Sequence, residues 1–288
     1  MAEVSDTAPE GISMEDWAGA MGERWLANLQ AFEGTIAPVG EALLAHAAYR
    51  PGERVLDIGF GGGASSLAIA RLVAPGGEVL GIDISPDLVA ATTRRAAAAG
   101  LANARFICAD AATTDVPEGP YDRLCSRFGS MFFPDPAAAF ANLRRGLKPG
   151  GRIDLAVWAP PAENPWMSAV MALVRQYVDL PAPVPGTPGP FAFDNPDYLR
   201  SILTTAGFDG IEIEPCSGEL PVGGPGSTPD VALAFAVNAL STGRLLQDQP
   251  DSIRQTVEAD MMALYARHHS VGEGVMMRFA VWLVSATA

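Results

Sequence analysis

The stretch Val55-Leu56-Asp57-Ile58-Gly59-Phe60-Gly61-Gly62-Gly63 constrains this chain more than any other. A short apolar run holding one acid passes directly into a glycine-rich turn. Glycine takes positive φ without a Cβ penalty and lets the backbone come close to a bound group. The apolar residues from Ala64 to Ala74 recur at helical spacing, so a helix there would aim its free N-terminal amides at whatever the turn holds. Strand, turn and helix in this order read as the opening of a strand–helix–strand unit in a parallel sheet.

From Glu53 to Trp158 strand and helix signals keep alternating. Val79-Leu80-Gly81-Ile82-Asp83 is an apolar strand ending in a carboxylate, about twenty residues after the glycine turn, where an acid can accept both ribose hydroxyl protons. Arg105 to Ala111 reads as a further strand, ending at Asp110, and another ends at Ser126-Arg127. Strand ends of a parallel sheet share one edge, and ligands collect there. Two alternatives stay open at this level. Gly59-x-Gly61-x-x-Ala64 also satisfies the dinucleotide fingerprint, although Asp57 stands where that fingerprint keeps an apolar residue. Asp57 could also solvate a strand end, and Asp83 could belong to the helix start Ser85-Pro86-Asp87.

The D-x-G-x-G-x-G form of Asp57 to Gly63 resembles the first motif of class I S-adenosylmethionine (SAM) dependent methyltransferases. Asp83, Asp110 and the turn Lys148-Pro149-Gly150-Gly151, read as the end of a helix turning into the strand Arg152 to Trp158, fall where that family has its later motifs. The segments Ser126 to Phe133, Asp135 to Arg145, Gly22 to Trp25, Ala37-Pro38 and Glu163 to Trp166 are similar to a bacterial branch near the ubiquinone and menaquinone biosynthesis methyltransferases. Phe60, where that branch has cysteine, and Phe32-Glu33, in place of a bulky residue and Asp, depart from the pattern.

The resemblance implies an α/β, Rossmann-like class I methyltransferase fold: a mostly parallel seven-stranded sheet with an antiparallel last strand and a helical cap. It implies SAM as cofactor, with Asp57, Gly59, Gly61 and Gly63 at its methionine half, Asp83 and Ile84 at the ribose, and Asp110 and Ala111 at the adenine. Ser126 and Arg127 would lie beside the sulfonium and the acceptor. Trp17, Met21, Trp25 and Leu29 fall close to one helical face, which reads either as a core stripe or as a flap over the cofactor with Trp25 as a contact. The implied organisation is a flap over 1–50, a SAM-binding core over 51–160, and a region over 161–288 that caps the cleft and completes the sheet.

In the last region the sequence predicts helices over Trp166 to Val178, Asn195 to Gly207, Asp230 to Leu240 and Ser252 to His269, and strands over Ile211 to Glu214 and Val275 to Ser285. Residues 1 to about 12 read as a loose tail. Met131, Phe132, Trp158, Trp166, Met167, Met171, Phe191 and Phe193 together suggest an apolar or aromatic acceptor. Should the acceptor need a general base, Glu33, His46, Tyr177, His268 and His269 are the candidates, none supported by a motif, so no catalytic residue is assigned.

Charge narrows the partners. Against 33 acidic residues stand 19 basic ones, Lys148 being the only lysine, and a net charge of −14 disfavours nucleic acid and anionic membranes. The pairs Arg94-Arg95 and Arg144-Arg145 read as solvated helix faces. Cys108, Cys125 and Cys216 are widely spaced and read as reduced, mostly buried thiols, and no metal-ligand spacing occurs. Met1 to Asp6 carries no signal-peptide pattern, so a cytoplasmic location without membrane insertion is expected, with a homodimer left open. The reading is thus a SAM-dependent methyltransferase acting on carbon or oxygen of a small metabolite. Its alternatives are a SAM-fold protein without methyl transfer, such as a cyclase, and a nicotinamide-dependent oxidoreductase.

Overall fold

The computed structural model describes residues 17–182 and 184–288, so the tail expected over residues 1 to about 12 lies outside it. Strands form where the apolar runs are unbroken. β1 (Arg54–Ile58), β2 (Glu78–Asp83), β4 (Tyr121–Arg127) and the second half of β5 (Leu147–Trp158) are buried along most of their length, as parallel strands covered on both faces must be. β3 (Ala104–Cys108) is more exposed because it is an edge strand. β6 (Asp209–Pro221) and β8 (Gly274–Thr287) complete the sheet, and β7 (His269–Ser270) is a two-residue hairpin partner at the start of β8.

The order is β3-β2-β1-β4-β5-β8-β6, with β8 antiparallel to β5 and β6 and the other pairings parallel. This is the expected seven-stranded sheet. The run Lys148-Pro149-Gly150-Gly151 differs from expectation: it lies inside β5 and bulges out, since Tyr121 pairs with Leu147 while Arg123 already pairs with Arg152. The bulge is held by the last residue, whose carbonyl accepts from the Gly150 N–H at 3.0 Å.

Among the described residues the α-helices are α1 (Ala20–Ala27), α2 (Leu29–Ala47), α3 (Ala64–Leu72), α4 (Pro86–Ala98), α5 (Pro136–Arg144), α6 (Pro165–Val174), α7 (Pro196–Thr205), α8 (Pro229–Ala239), α9 (Ser241–Gln247) and α10 (Asp251–Arg267). Their starts obey capping chemistry: Ser85, Asp135 and Asn195 accept backbone N–H groups ahead of a proline at the first helical position. The sequence missed α9, because nothing but the Leu240–Ser241 break separates it from α8, and it ran β6 short by nine residues of alternating and Gly/Pro-containing chain. α2 lies across β5, β6 and β8, while α9 and α10 pack on α8 and α6.

Chain connections run outward in both directions from β1 and β4, so the crevice between their carboxyl ends is the topological switch point. Two glycines make it. Gly59, at φ 65°, and Gly129 meet so closely that a Cβ on Gly129 would stand 2.6 Å from the Ile58 carbonyl oxygen and 2.7 Å from the Gly59 Cα. Both obstacles are backbone and cannot rotate away. Gly129→Ala is therefore expected to lower unfolding free energy by about 2 kcal/mol, measured by urea denaturation, and an unchanged midpoint would mean that the strands separate at no cost.

Candidate active site

The crevice opens into a cavity of about 410 Å³ bounded by the β1, β2, β3 and β4 ends below and by α1, α6 and the α8–α9 corner above. That size falls within the ~300–1,000 Å³ of small-molecule sites. Its polar floor holds Asp57, Asp83, Asp110 and Arg127.

Asp57 is buried, and its Oδ2 accepts from the Ser66 hydroxyl at 2.5 Å. Burial pushes its pKa up to about 7, against the opposing pull of the Ser66 bond and of Arg127, with Asp83 adding repulsion. Arg127 is pushed the other way, below the usual arginine range, by desolvation, with Asp57 and Glu33 opposing. Its Nη1 makes one 3.5 Å contact to the Ile36 carbonyl and lies where a Cβ on Gly40 would come within 2.5 Å. The two groups thus feel each other's charge but form no ion pair, which leaves a buried anion and a buried cation facing one cavity.

Asp83 works differently. Its Oδ2 accepts from the Gly61 N–H at 2.8 Å and its Oδ1 from the Ser85 N–H at 3.0 Å, so it ties the glycine turn to the start of α4. Burial raises its pKa against those bonds. Each oxygen keeps a second lone pair for a vicinal diol. Asp110 accepts from the Ala112 N–H at 2.8 Å and from the Thr113 hydroxyl at 3.0 Å, which closes a turn and presents Ala111 beside it. Ile84 and Ala111 also line the cavity.

Gly59, Gly61 and Trp25 join the lining; Gly63 and Ser126 do not. Gly63 is the cap of α3, packed so tightly that Thr92 Cγ2 lies 2.3 Å from the position of its missing Cβ. Ser126 is fully buried; its hydroxyl donates to the Ile58 carbonyl at 2.9 Å and accepts from the Ser130 N–H at 3.1 Å, fastening β4 to β1. Both residues shape the crevice from behind it.

The helical face that carries Trp17, Met21 and Trp25 turns toward the cavity, while Leu29 packs over Gly62. Trp25 stacks on Phe32 with ring centroids 3.9 Å apart and covers the glycine turn, its indole nitrogen 3.4 Å from the position a Cβ on Gly61 would take. Trp17 meets Trp25 and Phe132 edge-on at 5.8 and 5.1 Å. A charged clamp fixes this layer: Glu33 on α2 accepts from Arg95 on α4 at 2.6 and 2.7 Å, and the same guanidinium reaches the Gly62 carbonyl.

Several expectations need correction. Arg95 belongs to that clamp rather than to a solvated face, and Glu33 is committed to it. His46 stands 3.7 Å from Glu214, and Tyr177 donates to Asp260 at 2.9 Å; neither they nor Glu33, His268 or His269 line the cavity. Phe193 packs in the core near Phe140, at a 6.3 Å centroid distance, whereas the other seven apolar candidates do line the cavity. Of the thiols, Cys108 is exposed, Cys216 half-buried and Cys125 buried. Among the described residues no group of His, Cys, Asp and Glu could hold a metal ion, and no helix is long and apolar enough to cross a membrane.

The sequence reading missed Arg24, Phe128 and the Leu240-Ser241-Thr242 corner. Phe128 carried a signal only structure could read: it sits at φ 67°, a strained value for a bulky residue, with its ring stacked on Trp158 at 4.1 Å.

A methyltransferase-domain family model matches residues 55–151. The nocamycin O-methyltransferase of Saccharothrix syringae is 32% identical over 65% of this chain and 70% of its own length. The demethylmenaquinone methyltransferase of Thermus thermophilus is 32% identical over 54% of this chain and 74% of its own. A solved phosphoethanolamine N-methyltransferase 2 of Haemonchus contortus in complex with SAM superposes with a TM-score of 0.58 at 18% identity, over 96% of this chain and 60% of that one. The [4+2]-cyclase SpnF does so at 0.57 and 16% identity, over 96% and 97%. These last two likenesses show the fold alone.

Asp57 offers a test of the site without ligand. Its folded pKa lies near 7 and its unfolded value in the ordinary carboxylate range, so the folded state binds the extra proton between them. The stability it contributes is fully present below about pH 4 and is lost as pH rises through 7. Asp57→Asn should flatten that part of the profile and gain stability over the parent at pH 8, read from urea midpoints at pH 5 and 8; parallel profiles for the two proteins would contradict the buried, unpaired carboxylate.

Proposed function

We propose, for a chain that belongs to the SAM-dependent methyltransferases, that the acceptor is a small apolar or aromatic molecule methylated on oxygen or carbon. The observation that carries this is the division of one cavity into a floor of carboxylates and a wall of Trp158, Trp166, Met167, Met171 and Phe191. The relatives' names, an O-methyltransferase and a demethylmenaquinone methyltransferase, support the same acceptor class.

The cofactor, when bound, supplies a methyl group already activated on a sulfonium. What the chain must add is binding, orientation and exclusion of water. Asp83 takes the ribose diol with Ile84 against it, and Asp110 with Ala111 meets the adenine. Gly59 and Gly61 lie under the amino-acid half, and Trp25 closes the flap over it. Asp57 and Arg127 are assigned the ammonium and the carboxylate of that half, because an arginine beside a sulfonium would repel it. In this reading residues 1–50 act as the flap, 51–160 as the cofactor core and 161–288 as the cap with the completing strands. A chain of net charge −14 suits a small-molecule acceptor better than nucleic acid, and a cytoplasmic location suits both the cofactor and the thiols.

Titration calorimetry with SAM, S-adenosylhomocysteine and NADH tests the cofactor assignment. The adenosyl ligands should bind, NADH should not, and Asp83→Asn should weaken S-adenosylhomocysteine about 100-fold while the fold, followed by circular dichroism, stays intact. Preference for NADH would sink the reading. SAM binding with no acceptor ever yielding S-adenosylhomocysteine would favour the alternative without methyl transfer.

A further inference from the structure

The cavity has an electrostatic asymmetry. Its three carboxylates all sit on the strand edge, at Asp57, Asp83 and Asp110. The wall opposite is apolar and aromatic except for Ser241, Thr242 and Arg24, and among the described residues it holds no histidine and no carboxylate to receive a proton at neutral pH. Among the described residues Arg24 alone carries charge there. It projects from α1 one residue before the Trp25 that covers the glycine turn, and it lines both this cavity and an outer groove of about 590 Å³ between α8, α9 and α10. Its Nη1 reaches the Leu240 carbonyl at a long 3.5 Å, the one hydrogen bond this half-buried guanidinium makes among the described residues.

Among the described residues, the charged groups that share space with Arg24 are Asp251, Arg254 and Glu258 in the outer groove and Asp57, Asp83, Asp110 and Arg127 in the cavity. Asp251 in the outer groove is paired with Arg254 on its own helix, and Glu258 lines the groove from the same helix, outside the cavity. Inside, the acids and Arg127 lie on the opposite side, where the cofactor's ribose, adenine, ammonium and carboxylate would face them. Among the described residues Arg24 makes no ion pair, and it therefore offers a cation to whatever fills the apolar half.

We propose that the methyl acceptor binds as an oxyanion already ionised in water, a carboxylate or an acidic enol or phenol, with Arg24 as its counter-charge. The inference rests on the methyltransferase reading and goes beyond it by naming the charge state of the substrate. The step then balances without a protein base: an oxygen or conjugated carbon lone pair of the anion forms the new bond to the methyl carbon as the sulfur–methyl bond breaks, and the sulfur keeps the electron pair. Methylation on oxygen moves no proton in the cavity. Arg24 holds the nucleophile as the anion, and the apolar wall strips its water. The guanidinium also selects, since a neutral isostere would leave it desolvated and unpaired.

The test uses the full chain saturated with S-adenosylhomocysteine and two probes of one shape, 1-naphthoate and its neutral amide, titrated by tryptophan fluorescence and calorimetry. The naphthoate should bind at least about tenfold more tightly than the amide. Arg24→Gln should erase that ratio, Arg24→Lys should keep part of it, and S-adenosylhomocysteine affinity should be equal in all three proteins. Equal binding of the two probes, binding of neither, or a preference that survives in Arg24→Gln would overturn the proposal. An acidic β-diketone set beside the naphthoate then tells an enolate-selective site from a carboxylate-selective one, and both sustain the oxyanion. Failure of S-adenosylhomocysteine itself to bind would strike the parent reading instead, so the two failures are distinct.

Discussion

The contact on which the site depends is the backbone-to-backbone approach of Gly59 and Gly129 where the sheet changes direction. Two parallel strands whose connections diverge leave a crevice, and the crevice is useful only if its walls stay close enough to grip a ligand. A side chain at either glycine would part them. Ser126 secures the same junction by bridging the Ile58 carbonyl and the Ser130 amide, and Phe128 accepts a strained φ so that its ring can lie flat on Trp158. Tight packing behind the cavity thus fixes the position of every polar group in front of it.

Those polar groups divide the labour by burial and pairing. Asp83 and Asp110 spend one lone pair of each oxygen on the local backbone and side chains, which orients them rigidly while they still accept from a ligand. Asp57 and Arg127 form no ion pair with each other, at a cost in the free protein that a zwitterionic amino-acid group would relieve. The Glu33–Arg95 clamp then holds the aromatic layer of α1 and α2 against the turn, so closing the cavity and shaping it are done by the same residues. Arg24 extends the pattern to the acceptor side, where it supplies in charge what the wall lacks in bases.

The core and most of the floor were legible in the sequence because glycines and strand-end acids mark a switch point by local chemistry alone. Asp57, Asp83 and Asp110 declared themselves at the ends of apolar runs. Gly63 and Ser126 were equally visible, yet their roles are set by what stands behind them, Thr92 and Ile58, partners distant in sequence. Glu33 and Arg95 could not be paired on paper for the same reason, being 62 residues apart. Arg24 stands in the Gly22 to Trp25 segment that matches the family branch but has no role assigned by it, the Leu240–Thr242 corner carries no motif, and the folding of α8 and α9 toward α1 brings them together at the cavity. The Lys148–Gly151 run misled because proline and glycine favour a turn wherever they stand, and a bulge within a strand is one.

A crystal structure with S-adenosylhomocysteine tests the central claim most directly. The account requires the ribose hydroxyls on Asp83, the amino acid between Asp57 and Arg127, and the Trp25 indole over the glycine turn. A ligand found outside the β1–β4 crevice, or one whose carboxylate turns away from Arg127, would contradict it.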